Sequence, residues 1–113
     1  MDAQAAGAAN PWFRTFLGLD PAAYLRKVAC PVLAINGELD LQVLPNQNLP
    51  AIEKALKEGG NKDYTIKRFG GLNHLFQTAK TGSPAEYSSI DETISPAVLD
   101  TIATWILDRT QKR

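Results

Sequence analysis

The chain contains one histidine, His74, and an aspartate, Asp40, at the end of a glycine-led loop, Gly37-Glu38-Leu39-Asp40. A carboxylate that accepts the proton on one imidazole nitrogen fixes the ring's tautomer. It also stabilises the imidazolium formed when the other nitrogen takes a proton from a nucleophile. Such a pair performs general-base chemistry of the kind acyl transfer requires. Taken separately, Asp40 reads as an ordinary turn residue, because aspartate hydrogen-bonds its own backbone in turns. His74 taken separately reads as a surface or packing histidine. Both readings change if the fold carries the two loops side by side.

The flanking elements predict that it does. Residues 32–35, Val-Leu-Ala-Ile, are apolar without alternation, as a strand covered on both faces by helices would be. Residues 64–69 begin in alternation and carry Lys67 and Arg68, which predicts an edge strand. Between them, Pro50 is expected to start a helix with Leu49, Ile52, Ala55 and Leu56 along one face, ended by Gly59-Gly60. Strand, helix, strand in this order is a βαβ unit with parallel strands and a right-handed crossover. Asp40 follows the first strand and His74 follows the second through Gly70-Gly71-Leu72-Asn73. Groups in open parallel sheets collect beyond the carboxyl ends of the strands, so neighbouring strands would bring Asp40 and His74 together.

Further elements frame this unit. Trp12, Phe13, Phe16 and Leu17 recur at helical spacing up to Gly18. Asp20-Pro21 supplies a cap and a proline at the first helical position for a short helix to about Lys27. Cys30-Pro31 then stops the helix and starts the strand. A turn-rich connector over residues 81–91 leads to Ser95-Pro96 and a last helix striped by Val98, Leu99, Ile102, Trp105 and Ile106. Residues 1–10 read as a flexible or weakly helical tail, and 11–113 as one domain.

Composition narrows the classes of partner. The chain of 113 residues has 12 basic and 12 acidic residues, with no long run of either sign. Neither nucleic acid nor an anionic membrane is therefore an expected partner. The uncharged stretch 3–13 is interrupted by Asn10-Pro11 and is no membrane span, nor has it the basic start and apolar centre of a signal peptide. The lone Cys30 excludes an internal disulfide framework and leaves the compartment open, with cytoplasm preferred. One imidazole and scattered carboxylates do not make a metal site, and no cofactor is expected.

The stretch "CPVLAINGELDLQV" followed by "GGLNHLFQ" resembles the carboxyl-terminal part of an α/β-hydrolase, near esterases related to dienelactone hydrolases and serine peptidases of that fold. In that family the acid lies in a Gly-x-x-Asp loop after the penultimate core strand, matched by Gly37 to Asp40. The histidine lies in a Gly-x-x-His loop after the last strand, matched by Gly71 to His74. The resemblance implies a partial α/β-hydrolase, an α/β fold of three layers with a short parallel βαβ sheet and flanking helices. It implies a serine hydrolase of ester or related acyl bonds, with Asp40 and His74 as triad acid and base. Trp12, Phe13 and Phe16 either line an acyl pocket, as the preceding segment does in similar enzymes, or simply pack in the core.

The family's nucleophile sits upstream on a Gly-x-Ser-x-Gly elbow, and this sequence has none. Ser83, Ser88, Ser89 and Ser95 all follow His74 and none is flanked by glycines in that pattern. Cys30 is no substitute. It lies at the amino end of the first strand, roughly 17 Å from the loops for about five residues at ~3.3 Å each, and is expected to be a buried packing cysteine. Glu38 falls too early in its turn to be the acid, and Asp91 belongs to the connector after His74. The chain thus reads as a cut fragment, a truncated product or one component of a split enzyme, inactive alone. Its expected partners are the missing amino-terminal hydrolase portion or a second copy of itself, with a small acyl or ester substrate in the complete enzyme. The alternative is a non-catalytic domain that serves oligomerisation or interaction.

Overall fold

In the computed structural model, residues 10–111 are described, so the tail expected over 1–10 lies, apart from Asn10, outside the described residues. Helix α1, Pro11–Leu17, begins where the Asn10 side chain accepts a hydrogen bond from the Trp12 amide at 2.8 Å. Helix α2, Pro21–Leu25, begins where Asp20 accepts from the Ala22 amide at 3.1 Å. In both, proline takes the first helical position, where its missing N–H costs no bond.

Strand β1, Val32–Gly37, and strand β2, Tyr64–Phe69, form a two-stranded parallel sheet in the register Val32 with Tyr64 through Gly37 with Phe69. Helix α3, Pro45–Glu58, crosses between them. Its start differs from the sequence expectation, since Pro50 lies inside the helix and Pro45 occupies the first position. Pro45 is pre-set for that position. Pro50 forgoes one backbone bond, a local loss outweighed by the burial of Leu49, Ala55 and Leu56.

Alternation along β1 sends Asn36 toward α3, where its Oδ1 accepts from Asn48 Nδ2 at 2.8 Å. The opposite face meets helix α4, Pro96–Thr110, through a hydrogen bond from Trp105 Nε1 to Thr65 Oγ1 at 3.3 Å. Arg109 anchors the end of α4 with paired bonds of 2.6 and 2.9 Å to Asp63, just before β2. The core on this side is Phe69, Leu72 and Val98, against which Ile35, Phe76, Ile94 and Ile102 pack. Together these elements make a small α/β fold with helices on both faces of the sheet.

Coverage is less complete than the apolar run of β1 implies. Val32, Leu33 and Ile35 are only half-buried, and Leu99 and Ile106 of the α4 stripe are exposed. Two strands offer too little surface to cover that stripe. Helix α1 buries none of its residues, so Trp12, Phe13 and Phe16 are not core. Their rings pack on one another instead, with Trp12 stacked on Phe16 at 5.7 Å between centroids. Cys30 is exposed, contrary to the expectation of a packing cysteine. The turn carrying it is held by its backbone, whose carbonyl accepts from Asn61 Nδ2 at 2.9 Å, and no apolar packing of the thiol is needed.

Candidate functional site

At the carboxyl end of the sheet, backbone hydrogen bonds stitch the two loops into one unit. The Glu38 amide donates to the Phe69 carbonyl and the Leu39 amide to the Leu72 carbonyl, both at 2.9 Å. This closeness requires Gly37. A Cβ there would overlap the carbonyl oxygens of Leu72 and Asn73, so only glycine lets the loops approach.

Asp40 is 4% exposed and its carboxylate is fully engaged. Oδ1 accepts from the amides of Gln42 at 2.9 Å and Val43 at 2.8 Å, and Oδ2 from Asn36 Nδ2 at 3.3 Å. Oδ2 also lies 2.9 Å from His74 Nδ1. Burial pushes the carboxyl's pKa up, but the hydrogen bonds from Val43, His74 and Gln42 outweigh it and hold the pKa below the usual carboxylate value. An ionised carboxylate only accepts, so Nδ1 carries a proton, and it is the Nδ1–H tautomer of the neutral ring, with its lone pair on Nε2, that this contact selects. Among the described residues Nε2 has no hydrogen-bond partner, and the His74 side chain keeps 35% of its exposure. The arrangement orients the imidazole ring and leaves Nε2 open to a reactant.

Two asparagines hold this geometry, and the reading of the sequence passed over both. Asn36, 3% exposed, links three segments: it accepts from Asn48 of α3, donates to Asp40, and donates to the Val43 carbonyl at 3.1 Å. Asparagine is poorly suited to a strand, so its place at the end of an apolar run was the available signal. Asn73 is fully buried. Its Oδ1 accepts from the amides of Leu75 at 3.0 Å and Gln77 at 2.9 Å, shaping the turn on which His74 sits. That turn includes Phe76 at φ 59°, a left-handed conformation few bulky residues adopt.

The connector also braces the acid loop. Its 3-10 helix, Pro84–Ser89, carries Tyr87, whose hydroxyl accepts from Gln42 Nε2. Gly82, at φ 80°, passes so close to the Leu39 carbonyl that a Cβ would overlap it.

The structure therefore brings Asp40 and His74 together and keeps the other candidates apart. Glu38 lies across the loop from Arg68, at 3.9 Å. Ser83 caps the 3-10 helix, Ser89 Oγ donates to the Glu86 carbonyl, and Ser95 heads α4. Among the described residues no hydroxyl or thiol is hydrogen-bonded to His74. No family model, curated protein or solved structure matches the chain.

Proposed function

We propose that this chain is the carboxyl-terminal portion of a serine hydrolase of the α/β-hydrolase type, acting on ester or related acyl bonds. Asp40 orients the ring and His74 is the general base. The carrying observation is the 2.9 Å contact between His74 Nδ1 and buried Asp40, made by loops that leave adjacent parallel strands. In this reading Nε2 takes the proton from a serine hydroxyl as its oxygen attacks the acyl carbon. It returns the proton to the leaving alcohol, and the same relay activates water to release the acid. The serine, on a glycine-flanked elbow, and the oxyanion donors come from another segment or polypeptide. A second reading is a non-catalytic association module. It is favoured by the open apolar groove between β1 and α4, lined by Leu33, Ile35, Ile102 and Ile106.

The test is co-expression with a neighbouring coding sequence that carries such an elbow, followed by hydrolysis of a short-chain aryl ester. Turnover by the pair is expected to vanish in His74→Ala and to fall by up to about 10⁴-fold in Asp40→Asn. The chain alone is expected to show none, because activated nucleophile and oxyanion donors supply the large terms in acyl transfer. Turnover by the pair that survives His74→Ala would exclude the base role and favour the association reading. Turnover by the chain alone that His74→Ala removes would place the nucleophile within it.

A further inference from the structure

A cleft of about 590 Å³ opens between α2, α3 and the loop that follows Asp40. Its size falls within the roughly 300–1,000 Å³ of small-molecule sites. Pro21 and Leu25 form one wall, Ile52 another, and Leu41, Val43 and Leu44 belong to the loop between them. Leu41, Val43 and Leu44 are 55, 40 and 43% exposed, an unusual concentration of large apolar side chains open to solvent.

The polar lining selects the ligand. Gln42, Gln47 and Asn48 contribute amides, and Asp20 is the only charged side chain among the described residues lining the cleft. Gln42 Nε2 is engaged with Tyr87 and Asn48 Nδ2 with Asn36. The Gln47 amide and Asn48 Oδ1 make no side-chain hydrogen bond among the described residues, which leaves both donor and acceptor capacity in the wall. No cation in the lining receives an anion, and its one carboxylate, Asp20, already accepts from the Ala22 amide as the cap of α2, so the lining matches an uncharged head group that both donates and accepts.

We infer that this cleft binds a neutral amphiphile, an aliphatic chain ending in an uncharged hydrogen-bonding group such as a primary amide. The chain lies against Leu25, Leu41, Val43 and Ile52, and the head group meets Gln47 and Asn48. The site goes beyond the hydrolytic reading, since its occupancy is independent of turnover. It also touches the Asp40 loop directly, because Gln42 and Val43 line the cleft and hold Asp40 Oδ1 through their amides.

The experiment is an amide-resonance NMR titration of the full chain with octanamide, octanoate and octylamine, and with shorter and longer primary amides. Octanamide is expected to give saturable shifts confined to the residues of the cleft, with octanoate weaker by tenfold or more. Each methylene added below the cleft's capacity is expected to tighten binding about fourfold. Ala51 is exposed on α3 at the cleft and touches neither Asp40 nor His74, so Ala51→Trp fills the cleft and is expected to abolish the shifts. An unchanged resonance pattern elsewhere reports that this variant is folded. Gln47→Leu is the second variant, expected to reduce the preference of octanamide over octane-1-thiol. Absence of saturable binding, octanoate or octylamine binding as tightly as octanamide, or undiminished binding in folded Ala51→Trp would each overturn the inference.

Discussion

Gly37 and Leu72 approach so closely that a side chain on the first would overlap the carbonyl oxygen of the second. The same carbonyl accepts from the Leu39 amide at 2.9 Å, so the contact that excludes a Cβ also joins the acid loop to the histidine loop. The separation of Asp40 and His74 is thus set by backbone, and their own hydrogen bond follows from it.

Gly37→Ala is therefore expected to part the loops at a cost of about 1–3 kcal/mol, the range for forced overpacking against a rigid neighbour. Urea unfolding of wild type and variant measures it. An unchanged midpoint and slope would mean that the loops tolerate a methyl group and that their closeness is incidental.

The Asp40 carboxyl has its folded-state pKa lowered: burial raises it, and the bonds from Val43, His74 and Gln42 more than reverse this. A group depressed on folding contributes stability above its unfolded pKa of about 4, and that contribution is lost as pH falls through the lower folded value. Asp63, held low by its hydrogen bond from Arg109, and Glu86, held low by the Lys80 amide, act in the same direction. The difference between wild type and Asp40→Asn isolates Asp40. Their gap in unfolding free energy is expected to shrink steadily between about pH 5 and pH 2. A gap constant with pH would mean that Asp40 is not stabilised as an anion.

Among the described residues β1 pairs only with β2, which leaves its other edge with unpaired amides and carbonyls beside half-buried Val32, Leu33 and Ile35. An uncharged edge of this kind recruits another strand. The chain is expected to elute from size exclusion with light-scattering masses above the monomer at micromolar concentration. Leu33→Lys is expected to shift the distribution toward monomer. A sharp monomer peak for wild type would mean that the edge is protected, and α1 is not the protection, since it buries none of its residues.

What the sequence determined by itself was local or periodic. The apolar run ending at Asn36-Gly37, the alternating strand with Lys67 and Arg68, the cap at Asp20, and the order of the two glycine-led loops all follow from neighbours within a few residues. From these the βαβ unit follows, and with it the proximity of Asp40 to His74, because parallel strands place successive loops at one end. Tertiary structure decided whatever depends on residues far apart in the chain. Helix α3 runs back to Pro45 through Pro50 because its buried face outweighs one missing bond. Cys30 is exposed because Asn61 fixes its turn from 31 residues away, and Trp12 and Phe16 are exposed because nothing among the described residues covers α1. Asn36 and Asn73 became part of the site only once their partners folded around them. A buried amide is retained where its hydrogen bonds are met, and only the fold decides which groups meet them.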